Sequence, residues 1–357
     1  MKNRRELALA VDAANLAHDR RGMGRLARGV LIAAAESGTI AITLLADRRR
    51  ERNALAGAFP YPVAATGTAR ERGRFDVVWY PFNGMRFHAH APSLVSIHDA
   101  FAFTFPEGNP IARMRVQRPM RRAARAATRL LSNSQWTRAE IERELDVAQE
   151  RIVVVRPSPD PFWFPADDTD PALPAELAQM RYVVFVGPGD ARKNVRLAID
   201  ACALGLRGPR EMLVIVGELS IADRAYARRR GGRAGEIAAS DMLLRTLYRN
   251  AELVIVPSRA EGFGLVAIEA MACGTPVCAS DAAALPEATA GAAALLPPDD
   301  VELWARAIRT VLDEPARRDD LRTRALATFA FADRMASSRA TLAVLRDVAQ
   351  SGARARP

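Results

Sequence analysis

Two glutamates flank a glycine-rich turn in the stretch AEGFGLVAIEAMACGTPV, residues 260–277. Glu261 precedes the turn, and Glu269 follows it inside an apolar run that is typical of a helix. A carboxylate accepts hydrogen bonds from two neighbouring hydroxyls at once, so one glutamate could hold a sugar and the other a ribose. Glycines let a ligand approach the backbone, and the amides of a first helical turn bind anions such as nucleotide phosphates. A plain strand, turn and helix with one surface glutamate is the alternative.

One lysine stands out because arginine supplies nearly every other positive charge. Of 51 basic residues, only Lys2 and Lys193 are lysines. Lys193 follows Arg192 in a polar loop after the apolar run RYVVFVG, residues 181–187. An ammonium is a compact, mobile point charge, whereas a guanidinium is broad and planar. The exception indicates a position that needs a compact charge; chance in an arginine-rich composition is the alternative.

Short apolar runs that suit buried strands alternate with helical patterns along the chain. This alternation is typical of βαβ units and parallel sheets. The first series of strands is predicted at residues 7–13, 41–46, 75–81, 93–99, 128–134 and 151–157. The second is predicted at residues 181–187, 211–217, 251–257, 275–280 and 293–298. We therefore predict an α/β protein with two doubly wound, Rossmann-like parallel-sheet domains facing a cleft.

The length of 357 residues also favours two domains, since a single core seldom organises so long a chain. Prolines and acids cluster in residues 157–174, which makes this segment the best linker candidate. We expect an N-terminal domain over residues 1–165 and a C-terminal domain over residues 175–335.

Composition predicts a globular cytoplasmic protein. Hydrophobic residues make up 49% and charged residues 26%, and no apolar run approaches the length of a membrane span. The apolar part of the N-terminus, LALAV, is short and runs into Asp12, unlike a secretory signal. The three cysteines, Cys202, Cys273 and Cys278, lack metal-ligand spacing and favour a reduced compartment.

The net charge of +10 attracts anionic partners, and its densest source is the arginine-rich, acid-free segment 113–129. Pro119 is expected to interrupt or start a helix there. The segment could dock on an anionic membrane surface, or it could be an ordinary solvated face. Nucleic-acid binding is not expected, because the segment lacks a reading motif and interleaved aromatic residues.

Five segments in a fixed order carry a resemblance to a known family. They are RRGMGRLARGVL (20–31), VSIHDAFAFTFPE (95–107), LSNSQWTRAEI (131–141), FVGPGDARKN (185–194) and the E-x7-E stretch from Glu261 to Glu269. Together they are similar to the retaining glycosyltransferases of family 4, in a bacterial mannosyltransferase-like branch. The resemblance implies the GT-B architecture, with a nucleotide-sugar donor bound by the C-terminal domain and the acceptor by the N-terminal one. It also implies that a last helix, residues 336–357, returns to the N-terminal domain.

The resemblance implies roles for individual residues. His98, Lys193 and Glu261 are expected to be catalytic, with Lys193 neutralising the leaving diphosphate. The donor-binding residues are expected to be Gly22, Gly24, Arg192, Lys193, Glu261, Gly262, Phe263, Gly264, Leu265, Val266 and Glu269. Asp99 and Arg25 are expected on the acceptor side. Two departures from the family pattern are Pro188, where relatives carry arginine, and Val266, where they carry proline.

The family chemistry implies transfer of a hexose with retention of configuration, without metal or cofactor. The acceptor would be a glycan or lipid-linked saccharide in bacterial surface polysaccharide synthesis, including lipopolysaccharide. GDP-mannose is the favoured donor, followed by UDP-sugars. A peripheral position on the inner membrane face would suit a lipid-linked acceptor. A sugar-nucleotide epimerase of the same architecture, or an inactive homologue that binds without catalysis, is the alternative.

Overall fold

The computed structural model describes residues 6–19, 22–106, 108–165, 172–187, 190–231, 233–329, 333 and 335–354. These residues divide into two compact units. The first unit contains the described residues up to Asp160 together with those after Asp333, and the second runs Pro161–Asp333. Pro188 lies outside the described residues.

The first unit is built on a seven-stranded parallel sheet with the strand order β3-β2-β1-β4-β5-β6-β7. Its strands are β1 (Leu7–Asp12), β2 (Ile40–Leu45), β3 (Val63–Ala64), β4 (Val77–Tyr80), β5 (Ser93–Ile97), β6 (Arg129–Ser132) and β7 (Ile152–Val154). Its helices are α1 (Gly22–Glu36), α2 (Arg49–Ala58), α3 (Phe101–Thr104), α4 (Pro110–Ala126), α5 (Gln135–Leu145) and, near the end of the chain, α13 (Ala336–Arg354).

The second unit is built on a six-stranded parallel sheet with the order β10-β9-β8-β11-β12-β13. Its strands are β8 (Arg181–Val186), β9 (Glu211–Val216), β10 (Ala234–Ile237), β11 (Leu253–Val256), β12 (Val277–Ser280) and β13 (Ala294–Leu296). Its helices are α6 (Val195–Gly205), α7 (Ile221–Arg229), α8 (Asp241–Asn250), α9 (Leu265–Ala272), α10 (Leu285–Thr289), α11 (Val301–Asp313) and α12 (Pro315–Phe329).

Both sheets are covered by helices on their two faces, which explains the nearly continuous apolar runs of their strands. In β1, Leu9 and Val11 pack in the cluster that contains residues of α1 and α13. Ala10, between them, belongs to the cluster on the opposite face, which includes Met120 of α4 and Ile141 of α5. Successive side chains of a strand point to opposite faces, so each strand contributes to two cores.

The predicted fold class is confirmed, and each predicted strand is present. Two strands were not predicted, β3 and β10, and each lies at an edge of its sheet. β3 has only two residues, and β10, with the sequence AGEI, lacks the apolar run that marks the buried strands. Edge strands bury less side-chain surface, so their sequences carry a weaker apolar pattern.

The prediction for Pro119 was wrong, since α4 runs through it from Pro110 to Ala126. The loop after β4 packs against the helix at this point, where the Met85 amide donates to the Pro119 carbonyl (3.0 Å). Gly84 has φ +127°, and a Cβ there would lie 2.7 Å from the Pro119 carbonyl carbon. Tertiary packing of this loop therefore stabilises a helix that the isolated proline disfavours.

Part of the proline-rich segment is an integral piece of the second unit. Trp163 is fully buried and packs on Tyr248 of α8, with ring centroids 5.6 Å apart. The Arg245 guanidinium lies over the rings of Phe162 (4.4 Å) and Phe164 (4.6 Å) and donates to the Phe162 carbonyl. These contacts fix residues 161–165 onto α8.

No helix within the described ranges combines the length and the apolar character that crossing a membrane requires.

We predict that Trp163→Ala destabilises the second unit by about 3–5 kcal/mol, because it empties a fully buried aromatic site. Urea denaturation followed by circular dichroism measures the loss. Ile221→Ala is the control, since that side chain of α7 is 85% exposed and should change stability by less than about 0.5 kcal/mol. Equal effects of the two substitutions would contradict the anchoring role of Trp163.

Candidate functional site

The charged cluster of the second unit lies where the strand order of its sheet reverses. β8 and β11 are neighbours in the sheet, and the connections that follow them lead to helices α6 and α9. In open parallel sheets, ligands bind outside the carboxyl ends of the strands at such a switch point. Lys193 comes from the loop after β8 and Glu261 from the loop after β11.

Lys193 and Glu261 form a close and largely buried ion pair. The Lys193 Nζ lies 2.6 Å from Glu261 Oε1, and the two side chains are 13% and 10% exposed. Ser258 donates its hydroxyl to the same carboxylate oxygen at 2.8 Å. Arg192 Nη1 lies 3.3 Å from Oε2 and also donates to the Ala260 carbonyl (2.9 Å). One carboxylate is therefore held by two cations and a hydroxyl.

These partners determine the charge state of Glu261. Burial by itself would raise the pKa of the carboxyl group, but the charges of Lys193 and Arg192 outweigh it. The hydrogen bonds from Lys193 and Ser258 act in the same direction, so the net shift of the pKa is downward. Glu261 is therefore an anion at neutral pH, and the negative charges of Glu261 and Asp190 balance the two cations of the cluster.

Gly187 and Asp190 lie beside Lys193 between β8 and α6. Gly187 has φ +148°, and a Cβ there would lie 3.4 Å from Lys193 Cγ and Cδ. Asp190 accepts the Lys193 amide at 2.7 Å and pairs with Arg192 at 3.2 Å. A narrow aliphatic stem ending in a point charge fits this position beside Glu261, which gives a structural reason for the lysine.

Asn194 locks the two loops together and was not identified from the sequence. It adopts a left-handed conformation (φ 60°) immediately before α6, which asparagine tolerates better than most residues. Its side-chain amide donates to the carbonyls of Pro257 (3.1 Å) and Pro298 (2.8 Å). Arg259 donates to its Oδ1 at 3.0 Å. An asparagine before a helix is too common a pattern to have revealed this role.

The glycine-rich turn leads directly into α9, as predicted. Gly264 precedes the helix with φ +97°, and a Cβ there would lie 2.6 Å from Leu285 Cδ2. Gly262 and Phe263 are buried, whereas Leu265 and Val266 are half-buried in the first helical turn. The amides of that turn and the positive end of the helix dipole suit an anion. Glu269 is half-buried on α9.

In the first unit, three strand ends converge on His98, which follows β5. The His98 amide donates to Asn83 Oδ1 (2.6 Å), after β4. Its carbonyl accepts from Asn133 Nδ2 (2.9 Å), after β6. Its ring Nε2 lies 2.8 Å from the Pro81 carbonyl oxygen, so Nε2 carries the proton and donates.

These contacts define the state of the His98 ring. Burial lowers the pKa of the imidazole, while the Pro81 hydrogen bond and the charge of Asp99 oppose this only in part. The neutral ring with a proton on Nε2 presents Nδ1 as a hydrogen-bond acceptor. His98 can therefore accept a hydrogen bond from a hydroxyl.

Asn83 also orients Asp99. Its Nδ2 donates to Asp99 Oδ2 at 3.2 Å, and Oδ1 of the same carboxylate accepts the Phe101 amide at 3.2 Å. Asn83 adopts a left-handed conformation with φ 40°, which allows its side chain to reach both residues. No sequence motif marked Asn83; only the packing of the strand ends shows its position.

The segment RRGMGRLARGVL resembles a glycine-rich loop of the family, but the structure places its residues Gly22, Gly24 and Arg25 in the first turn of α1. Gly24 is required there for packing, because a Cβ would lie only 1.9 Å from the Asp19 carbonyl oxygen. The glycine allows the segment before α1 to fold back onto the helix.

Within the described part of the chain, no three histidine, cysteine, aspartate or glutamate side chains come together in a way that could hold a metal ion.

Comparison with known families matches two models to the chain. The model described as "Glycosyl transferases group 1" matches residues 172–327, and that described as "Glycosyltransferase Family 4" matches residues 31–161. O-antigen chain mannosyltransferase B of Escherichia coli is 30% identical over 267 residues, 70% of this chain and 69% of that protein. D-inositol 3-phosphate glycosyltransferase 1 of Catenulispora acidiphila is 32% identical over 232 residues, 56% of this chain and 53% of that protein. The match thus spans about half the length of this second relative.

Two solved structures share the architecture over nearly the whole chain. One is WaaG, a glycosyltransferase involved in lipopolysaccharide biosynthesis, with a TM-score of 0.69, 16% identity and coverage of 95% of this chain and 99% of that one. The other is HepE of Anabaena in complex with UDP and glucose, with a TM-score of 0.69, 18% identity and the same coverage. At these identities the likeness concerns the fold alone.

We predict that Glu261→Gln destabilises the second unit by about 2–4 kcal/mol at pH 7, because it leaves the largely buried Lys193 without its counter-charge. The folded-state pKa of Glu261 lies below its unfolded value, so its contribution is present above about pH 4.3 and is lost as the pH falls further. Urea denaturation at several pH values should show that the free energies of unfolding of wild type and Glu261→Gln become equal at acidic pH.

The matched control is Glu218→Gln, whose side chain is 90% exposed and lies 3.9 Å from Arg224. This substitution should change stability by less than about 0.5 kcal/mol at every pH. A Glu261→Gln protein as stable as the control at pH 7 would show that the ion pair contributes nothing to the fold.

Proposed function

Because this chain belongs to the family 4-like branch of the GT-B glycosyltransferases and transfers a sugar from a nucleotide sugar, we propose that it is a retaining, metal-independent hexosyltransferase. Its favoured donor is GDP-mannose, and its acceptor is a glycan or lipid-linked saccharide of a bacterial surface polysaccharide. The observation that carries this proposal is the cluster of Lys193, Arg192 and Glu261 beside the first turn of α9.

The cationic side of this cluster suits the leaving diphosphate. Lys193 and Arg192 supply two positive charges, which Glu261 and Asp190 balance. The amides of Gly264, Leu265 and Val266 add the positive end of the α9 helix dipole. Charge developing on the diphosphate during bond cleavage is stabilised without reorganisation, because the loop already fixes both cations. These protein groups perform the task that a metal ion performs in other transferases.

The carboxylates suit the two sugars of the donor. Glu261 accepts hydrogen bonds from the transferred hexose, and Glu269 accepts them from the ribose hydroxyls. The transfer proceeds on one face of the hexose: the bond to the diphosphate breaks, the acceptor oxygen bonds to the same carbon, and a diphosphate oxygen takes the acceptor proton. In the first unit, His98 Nδ1 is an acceptor for a sugar hydroxyl, and Asp99 helps to orient the acceptor sugar.

The relatives support different acceptors. The likeness to an O-antigen chain mannosyltransferase supports mannose transfer to a growing glycan. The likeness to D-inositol 3-phosphate glycosyltransferases supports a phosphorylated cyclitol acceptor as the second candidate.

We predict that GDP stabilises the protein more than UDP or ADP does in a thermal-shift assay. At 100 times its dissociation constant, GDP should add about 2.7 kcal/mol to the free energy of unfolding. NMR of the product made from GDP-mannose should show the anomeric configuration of the donor, with turnover unchanged by EDTA. Stabilisation by UDP but not GDP would exclude GDP-mannose, and no stabilisation by any nucleotide would support the inactive homologue. Release of UDP and an altered free sugar without an acceptor would support an epimerase.

In the same assay, Lys193→Met should lower kcat on the order of 10²-fold or more, since the charge acts chiefly on the transition state. Lys193→Arg should also lose turnover, because a broad planar guanidinium replaces the compact ammonium that lies 2.6 Å from Glu261 Oε1. Arg228→Met, at an exposed position of α7, is the control and should retain full activity. Full turnover of Lys193→Arg would show that the compact charge is dispensable.

We further propose that α4 places the protein on the anionic inner face of the membrane. Its exposed arginines, Arg113, Arg115, Arg118 and Arg121, accompany three exposed apolar side chains, Ile111, Met114 and Val116, each 59% exposed. Arginine binds anionic headgroups, while the apolar side chains enter the interface. A purely solvated face would have no use for these three apolar residues.

We predict that Arg113, Arg115 and Arg118 changed together to Gln weaken binding to phosphatidylglycerol vesicles on the order of 10²-fold, at roughly 1 kcal/mol for each charge. Co-sedimentation measures the binding. The matched control changes Arg48, Arg49 and Arg50, exposed at the start of α2, to Gln. If both triple variants bind equally weakly, the attraction is due to net charge and α4 is not the docking surface.

A further inference from the structure

The sheet of the first unit has its own switch point, between β1 and β4. The two strands are neighbours, with Val11 paired to Trp79, and the chain leaves them in opposite directions along the sheet. Asp12 is the last residue of β1. The corresponding edge of the second sheet carries the Lys193–Glu261 cluster, so a ligand is also expected where Asp12 lies.

Asp12 is a buried carboxylate with almost no partners. It is 3% exposed, and its only hydrogen bond from any described residue comes from the Ala14 amide at the long distance of 3.4 Å. Asp99, which follows β5 in the same sheet, accepts from two groups at 3.2 Å. Buried carboxylates in proteins are normally paired or well hydrogen-bonded, so Asp12 has acceptor capacity that the fold does not use.

The groups around Asp12 are charged but do not neutralise it. Arg86, in the loop after β4, attracts it without forming an ion pair and donates to Asn15 Oδ1 at 3.3 Å. Asp47, after β2, and Glu51, on α2, repel it. Burial is the largest effect and raises the pKa of Asp12 to about 6, with Arg86 and the Ala14 amide opposing it. Tyr80 of β4 also interacts with Asp12 and donates its hydroxyl to the Phe87 carbonyl (3.0 Å).

This arrangement favours one class of ligand. The negative charges of Asp47 and Glu51 would repel a phosphate or carboxylate ligand near Asp12, and the positive charge of Arg86 would repel a cationic ligand. A neutral ring with adjacent hydroxyls meets neither repulsion, since one hydroxyl can donate to the carboxylate while its neighbour accepts from the guanidinium.

We propose that Asp12 and Arg86 form the hydroxyl-recognition site for the acceptor sugar, with Asp12 accepting from a ring hydroxyl and Arg86 donating to an adjacent one. This inference rests on the proposed glycosyltransferase function and names a specificity-determining carboxylate for it. The buried charge reduces the stability of the fold, as is common for groups retained for function. A hydroxyl donated by the ligand supplies the missing partner.

The test uses methyl α-D-mannopyranoside as the probe in saturation-transfer NMR on the full chain at pH 8. Wild-type protein should bind the probe, and Asp12→Asn should bind it at least about 10-fold more weakly, because a neutral amide oxygen replaces the charged acceptor of the ring hydroxyl. The matched control is Asp76→Asn, which lies immediately before β4 at the opposite edge of the same strands and accepts the Ala8 amide at 2.9 Å. It should bind the probe as wild type does.

The melting temperature of Asp12→Asn shows whether weaker probe binding is due to a folding defect. Because the folded-state pKa of Asp12 is raised, stability falls as the pH rises from about 3.9 through 6. Asp12→Asn removes that penalty, so its melting temperature should exceed that of wild type by about 5 °C at pH 8 and match it at pH 4. In wild type, but not in Asp12→Asn, the affinity for the probe should decrease as the pH falls below about 6.

Two outcomes overturn the proposal: equal probe binding by Asp12→Asn and wild type, or no binding by wild type. Nucleotide binding is measured on the same samples. It distinguishes failure of the proposed role of Asp12 from failure of the proposed glycosyltransferase function. If GDP or UDP stabilises Asp12→Asn as it does wild type while probe binding is unchanged, only the role of Asp12 is lost. If no nucleotide binds to either protein, the proposed function itself fails.

Discussion

The ion pair between Lys193 and Glu261 is the interaction on which the functional part of the second unit depends. Two charges that are each about nine-tenths buried are stable only as partners, so the loops after β8 and β11 must be held at a fixed separation. Asn194, Asp190 and Ser258 supply the hydrogen bonds that hold them. The electrostatics of the proposed donor site are therefore part of the fold and not an addition to it.

Backbone conformation sets the shape of the same site. Gly187 and Gly264 both have positive φ. A Cβ on Gly187 would make an ordinary van der Waals contact with the stem of Lys193, whereas Leu285 occupies the space of a Cβ on Gly264. A β-carbon at Gly264 would collide with Leu285, which lies at the start of α10. Backbone conformation and side-chain packing therefore account for Gly187 and Gly264 without a bound ligand.

The sequence predicted a large part of this protein, and its failures have physical causes. The buried strands were found because both faces of each sheet are covered, which gives continuous apolar runs. The family resemblance associated Gly22 and Gly24 with a glycine-rich loop, but both lie in the first turn of α1, where the Asp19 backbone leaves no room for a Cβ on Gly24. Pro119 lies inside α4 because the loop after β4 packs against it. In each case a tertiary contact overrode a local preference.

The sequence alone determined the fold class, the order of the strands along the chain and the identity of Lys193, Glu261 and His98 as candidates. Only the tertiary structure decided which polar groups meet at the strand ends: Glu261 with Lys193, His98 with Asn83 and Asn133, and Asp12 with few partners. The physical reason is that apolar periodicity is a local property of the chain. The pairing of buried polar groups depends on strand order in the sheet, which brings distant segments to one edge.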